Sequence, residues 1–126
     1  MSDGQVIPVH LRDQRLADEI AASIRIVQGV RDGSGDAETE LVQRYSRGLR
    51  YLIIRKTGDE DLADDLLQET LIIAIKKLRE QALENPQRLA GYLRGIAIRV
   101  ALNARRRRSR EPYLADNAVL ESMPDH

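Results

Sequence analysis

The chain has 126 residues, no cysteine, and histidine only at positions 10 and 126. This excludes disulfides, thiolate metal sites and cysteine nucleophiles, and leaves little for a histidine metal centre or a Ser-His-Asp triad. Phe and Trp are absent too, so the four tyrosines (45, 51, 92 and 113) are too few for an ordinary β-sandwich or barrel core. Lys+Arg and Asp+Glu are 20 each, and a net charge of zero argues, taken alone, against a nucleic-acid binder.

Residues 1–13 hold Gly4 and Pro8 without a helical period and are expected to be a flexible tail. From about Gln14 to Arg31, Leu16, Ile20, Ile24 and Val27 recur at helical spacing, which predicts an amphipathic first helix packed through that stripe. Asp32-Gly33-Ser34-Gly35-Asp36 is a turn. No strand precedes Gly33-Ser34-Gly35 and no lysine follows in register, so it is not a phosphate loop. Asp36 is the expected N-cap of a second helix, with Glu38 and Glu40 near its positive end. Leu41, Tyr45, Leu49, Leu52 and Ile53 form its apolar side, and Lys56 and Gly58 mark its end.

Asp59 is expected to cap a third helix whose apolar side is Leu62, Leu66, Leu67, Ile73, Ala74 and Leu78. Glu84-Asn85-Pro86 breaks the pattern, and Pro86 suits the first position of a fourth helix. That helix carries Leu89, Tyr92, Leu93, Ile96, Ala97 and Val100, runs into the arginines and is expected to end at Glu111-Pro112. Residues 111–126 are expected to be an acidic linker or flexible tail. No segment alternates with period two. The expected architecture is all-α, a bundle of about four helices over 14–110. No stretch approaches the ~20 apolar residues of a membrane span, and the N-terminus is charged where a signal peptide is apolar. A cytoplasmic protein is expected.

The zero net charge is a sum of unlike parts. Residues 36–70 hold 9 acids against 5 bases, a net of −4. Residues 86–110 hold 8 arginines and no acid, a net of +8. The 16 residues after Arg110 hold four acids and no base. Such asymmetry points to two charged surfaces for two partners.

Asp59, Glu60, Asp61, Asp64, Asp65 and Glu69 share helical spacing. They fit a solvated helix start, an acidic docking helix for a basic protein, or a Mg²⁺ site, since Asp61, Asp64 and Asp65 form D-x-x-D-D. The Mg²⁺ reading lacks the second acidic motif and large cavity that such enzymes use. Arg105-Arg106-Arg107-Arg108 with Arg110 continues a helix already holding Arg94 and Arg99. Guanidinium groups suit phosphate, and five arginines in six positions exceed what helix capping needs. The alternative is a solvated or protein-binding helix end. Tyr92 can stack on an unpaired base or pack in the core.

Gly58-Asp59, then Asp64-Asp65-Leu66-Leu67-Gln68-Glu69-Thr70, then Tyr92-Leu93-Arg94-Gly95-Ile96-Ala97 and an arginine run, resemble the extracytoplasmic-function sigma factors of bacterial RNA polymerase. Val27-Gln28-Gly29-Val30-Arg31-Asp32-Gly33 and Leu41-Val42-Gln43-Arg44-Tyr45 resemble the family's opening helix and turn. The resemblance covers about residues 20–110. It implies a non-enzymatic domain, without cofactor or metal, that binds core RNA polymerase and promoter DNA. Asp65, Gln68 and Glu69 would dock on the clamp coiled coil of the largest subunit, with Asp61 and Asp64 adding negative field. The loop from Leu83 to Arg88 and the fourth helix would bind the non-template strand of the minus-ten element as the strands separate. Asn85 and Gln87 would hydrogen-bond an extruded base, Tyr92 would stand beside it, and Arg88, Arg94, Arg99, Arg105, Arg106, Arg107, Arg108 and Arg110 would hold phosphates. An anti-sigma factor is a further partner the resemblance allows.

Leu71 stands where the family usually has Phe, Tyr92 where Trp is common, Gly95 where Arg is usual and Arg99 where Asn is usual. The family normally carries a second, helix-turn-helix domain. The residues after Arg110 are too few for it, so either the sequence is a piece cut in the interdomain linker, which is the favoured expectation, or one domain suffices. The competing expectation is a helical regulatory or protein-interaction module with non-specific nucleic-acid binding.

Overall fold

In the computed structural model, residues 8–121 are described, with side chains for 8–109. They form four α-helices: α1 (Val9–Arg31), α2 (Gly35–Thr57), α3 (Ala63–Glu80) and α4 (Leu89–Glu121). A 3₁₀ turn, Pro86–Arg88, leads into α4. There is no strand among the described residues. The all-α bundle expected from the periodicities is what forms.

The core is aliphatic throughout. Leu41 and Ile53 of α2, Ala74 and Leu78 of α3, and Leu89, Leu93 and Ala97 of α4 are essentially inaccessible to water. Tyr45, Leu52, Leu62, Leu67, Ile73 and Tyr92 pack against this cluster from its edge. The apolar sides expected for α2, α3 and α4 therefore face inward. Ala63, Thr70, Leu71, Ala101 and Ala104 join them. Thr70 satisfies its buried hydroxyl by donating to the Leu66 carbonyl at 2.8 Å.

The stripe expected for α1 is corrected in part, since only its last member, Val27, is buried. Leu16, Ile20 and Ile24 are 57%, 37% and 46% exposed, while Ala22, Ser23, Ile26, Val27 and Val30 are buried. The reason is how closely α2 approaches. Gly29 lies over Ala37, where a Cβ would come within 2.5 Å of the Ala37 Cβ. Six residues earlier on α1, the hydroxyls of Ser23 and Tyr45 pair at 3.2 Å. Small residues thus let α2 come close on this side, where Ile26, Val27 and Val30 fill the core, while Leu16, Ile20 and Ile24 stay outside.

Several boundaries also move. α1 begins at Val9, within the segment expected as a tail; residues 1–7 lie outside the described residues. Ser34, not Asp36, caps α2: its hydroxyl accepts from the Ala37 N–H at 3.2 Å, and Asp36 sits inside the first turn. Gly58 ends α2 in the left-handed conformation, φ 70°, which glycine adopts at no steric cost. Asp59 caps a turn rather than α3 itself, accepting at Oδ1 from the N–H groups of Asp61 (2.8 Å) and Leu62 (3.3 Å). α4 does not stop at Glu111-Pro112 but continues to Glu121. Proline within a helix removes one N–H bond, here the one to the Arg108 carbonyl, and Leu114, Ala115 and Ala118 beyond it favour helix. Residues 122–126 lie outside the described residues.

Candidate protein and nucleic-acid interfaces

The acidic side of α3 is exposed because its opposite side supplies the core. Leu66, Thr70 and Ala74 point inward, so Asp65, Gln68 and Glu69 point out, with Asp61 in the preceding turn. Asp61, Asp65 and Glu69 make no ion pair among the described residues. Asp64 differs. It accepts from Arg50 Nε of α2 at 2.8 Å, and that hydrogen bond with the attraction of its charge pushes the Arg50 guanidinium above its ordinary value. Ile72, 60% exposed, stands one turn beyond Gln68. Such a face offers unpaired carboxylates around an aliphatic side chain, suited to a basic protein surface. No three His, Asp or Glu side chains come together as a ligand set among the described residues.

The loop before α4 is held by its own backbone. The Arg88 N–H donates to the Asn85 carbonyl at 2.8 Å, and Pro86 occupies the first 3₁₀ position, where its missing N–H costs nothing. Gln87 Nε2 reaches Asn85 Oδ1 at 3.5 Å, and Asn85, Gln87 and Arg88 are all exposed. A hollow of about 370 Å³ is lined by Leu83, Glu84, Asn85, Arg88, Gly91 and Tyr92. Tyr92 packs on the core, one of the two fates read for it from sequence, and also walls this hollow. Its burial pushes the phenol above the ordinary tyrosine range, keeping it protonated. An apolar wall, an amide and a guanidinium around one hollow suit a flat, hydrogen-bonding ring next to a phosphate.

Gln87 and Arg94 border a second hollow of about 400 Å³ between α1, α2 and the start of α4, with Leu16, Ile20, Ser23 and Tyr45. Arg44 joins them there. The nucleic-acid surface expected from sequence for Gln87 and Arg94 does not include Arg44, Tyr45 or the acidic Glu19, which share this hollow with them. Tyr45 fell on a core stripe, and no linear spacing links position 44 to position 94.

The arginines of α4 divide by helical register. Leu93, Ala97, Val100 and Ala104 define its inward line. Arg99, Asn103 and Arg106 line an open hollow of about 470 Å³ on the outward side with Gly95, Ile98 and Leu102. Arg105, Arg106, Arg107 and Arg108 are exposed residues, but Arg108 falls four positions past Ala104. Its Nη2 lies 2.6 Å from Asp59 Oδ2, tying the basic segment to the acidic one. Arg110 lies outside the residues whose side chains are described.

No helix among the described residues is long and apolar enough to cross a membrane. The family model described as Sigma-70 region 2 matches residues 41–111, which include most of α2, all of α3, the loop and the basic part of α4. No curated protein and no solved structure matches the chain significantly.

Proposed function

Since the chain belongs to the Sigma-70 region 2 family, we propose that this sigma factor domain is of the extracytoplasmic-function type and uses its two charged surfaces in one step of initiation. The family places it in transcription initiation, with core RNA polymerase and promoter DNA as partners. The observation that carries the finer reading is the segregation of charge. The exposed carboxylates of Asp65 and Glu69 lie on α3 and that of Asp61 in the turn before it, while Arg99 and Arg106 line a separate, outward hollow of α4.

In this reading α3 docks on a basic surface of the polymerase's largest subunit, through Asp65, Gln68 and Glu69. The arginines of α4 neutralise phosphates of the minus-ten element and hold the strand in register. Asn85, Gln87 and Tyr92 then retain a base of the non-template strand after it leaves the stack. Unpairing costs a few kcal/mol, so a hollow that binds only the unpaired base shifts the equilibrium toward melted DNA. The domain makes and breaks no covalent bond; RNA synthesis belongs to the polymerase.

The test compares a single-stranded minus-ten non-template oligonucleotide with the same sequence in duplex, by fluorescence anisotropy. Tighter binding to the single strand, falling with salt and weakened by Asn85→Ala, is expected. Equal affinity for both forms, or salt-independent binding, contradicts the proposal and favours a non-specific nucleic-acid module.

A further inference from the structure

Asp59 is occupied at every polar position. Oδ1 accepts from the N–H groups of Asp61 and Leu62, shaping the turn that leads into the acidic helix. Its own N–H donates to Thr57 Oγ1 at 3.2 Å, and that hydroxyl donates to the Ile53 carbonyl at 2.8 Å. Oδ2 meets Arg108. The Asp59 side chain is 15% exposed, less than any other acid in an ion pair among the described residues. A carboxylate fixed by backbone donors and largely withdrawn from water is screened less by salt than a surface pair.

Arg108 is equally particular on its side. It follows Val100 and Ala104 at spacings of four, along the inward line of α4, whereas Arg99 and Arg106 line the outward hollow. The arginine run therefore holds one member aimed at the protein itself.

We propose that Asp59 and Arg108 form an internal clamp. It pins the basic end of α4 to the turn that starts α3, and it withholds the Arg108 guanidinium from DNA. The clamp fixes the directions in which Arg105, Arg106 and Arg107 project. It also joins the start of the polymerase-facing helix to the DNA-facing one. The DNA part of this inference rests on the reading of α4 as a phosphate-binding surface. Asp59 becomes a positioning residue, and Arg108 leaves the set of phosphate contacts.

The test uses the full chain and a fluorescent single-stranded oligonucleotide, with affinity followed across salt concentrations. Asp59→Asn keeps the Oδ1 acceptor and the turn, since Asn caps as well as Asp, and removes only the charge. It should free Arg108 for a phosphate, steepening the slope of log K against log salt by about 0.7 and tightening binding about fivefold at about 0.1 M salt. Arg108→Gln should leave the wild-type slope unchanged, while Arg106→Gln should lower it by about 0.7. Asp59→Asn with Arg108→Gln should return to the wild-type slope, which separates the clamp from a general loss of negative charge. Glu60→Gln, the same charge change at the next, exposed residue, should leave the slope unchanged. A loss from Arg108→Gln as large as that from Arg106→Gln, or tightening that persists in the double variant, would overturn the clamp.

Thermal melting of the same variants reads the pair without DNA. Coupling requires that the double variant melt no lower than the less stable single variant, and additive losses would overturn it. If the wild type binds no single strand, the DNA reading fails, while the melting cycle still decides whether the clamp exists.

Discussion

Gly29 of α1 and Ala37 of α2 meet so closely that no side chain fits at position 29. A Cβ there would lie 2.5 Å from the Ala37 Cβ, and the second atom within reach, Ser34 Cβ, is at 3.8 Å. In an open helix interior, Gly→Ala stabilises by roughly 0.5–1 kcal/mol. Here the sign reverses. Gly29→Ala should destabilise by about 1–3 kcal/mol, as overpacked cores do. The midpoint of denaturant unfolding checks this; a midpoint at or above wild type would mean that the two helices can separate freely.

Leu93 is fully buried where α4 crosses the core. Leu93→Ala should cost ~2–5 kcal/mol through lost burial and the cavity left behind. An effect near zero in the same unfolding experiment would mean that α4 is seated otherwise.

Ser34 supplies the only side-chain hydrogen bond to a backbone N–H of the first turn of α2 among the described residues. Ser34→Ala should cost about 0.5–2 kcal/mol, and Ser34→Asp should preserve most of the stability, because both side chains can accept the Ala37 N–H. Equal losses for the two variants would argue against capping.

Most of this architecture is legible in the sequence, and the exceptions share a physical cause. On α2, α3 and α4 the large aliphatics concentrate on one side, with Val42, Ile72 and Leu102 the exposed exceptions, so period identifies the inward face. On α1 two lines compete: Leu16, Ile20 and Ile24 on one, Ala22, Ile26 and Val30 on the other. Counting large residues favours the first line. The structure buries the second, because Ser23 and Gly29 are small enough for α2 to approach. Packing of two helices is a property of both surfaces, and the period of one cannot decide it. For the interfaces, the exposure of Asp65, Gln68 and Glu69 follows from their register against Leu66 and Thr70. The turn of Arg108 toward Asp59 was readable in the same manner, four and eight residues past two core positions. The density of the arginine run hid that register. That Arg44 and Arg94 line one hollow required the fold.

Tyr92 separates stacking from packing. Tyr92→Phe keeps the ring and should bind single-stranded DNA nearly as the wild type does. Tyr92→Ala should lose about 1–3 kcal/mol of binding, the value of one base–aromatic stack. Anisotropy with a single-stranded minus-ten oligonucleotide checks both, with melting curves confirming that each variant is folded at the temperature used. Equal binding by Tyr92→Ala would remove Tyr92 from the DNA surface.

The most direct test is binding to core RNA polymerase, measured with the wild type and with Asp65→Arg combined with Glu69→Arg. Both positions are exposed and unpaired among the described residues, so the charge reversal should leave the melting temperature nearly unchanged. The wild type should be retained on immobilised core polymerase and the double variant should not. Equal retention of a folded double variant would contradict docking through α3.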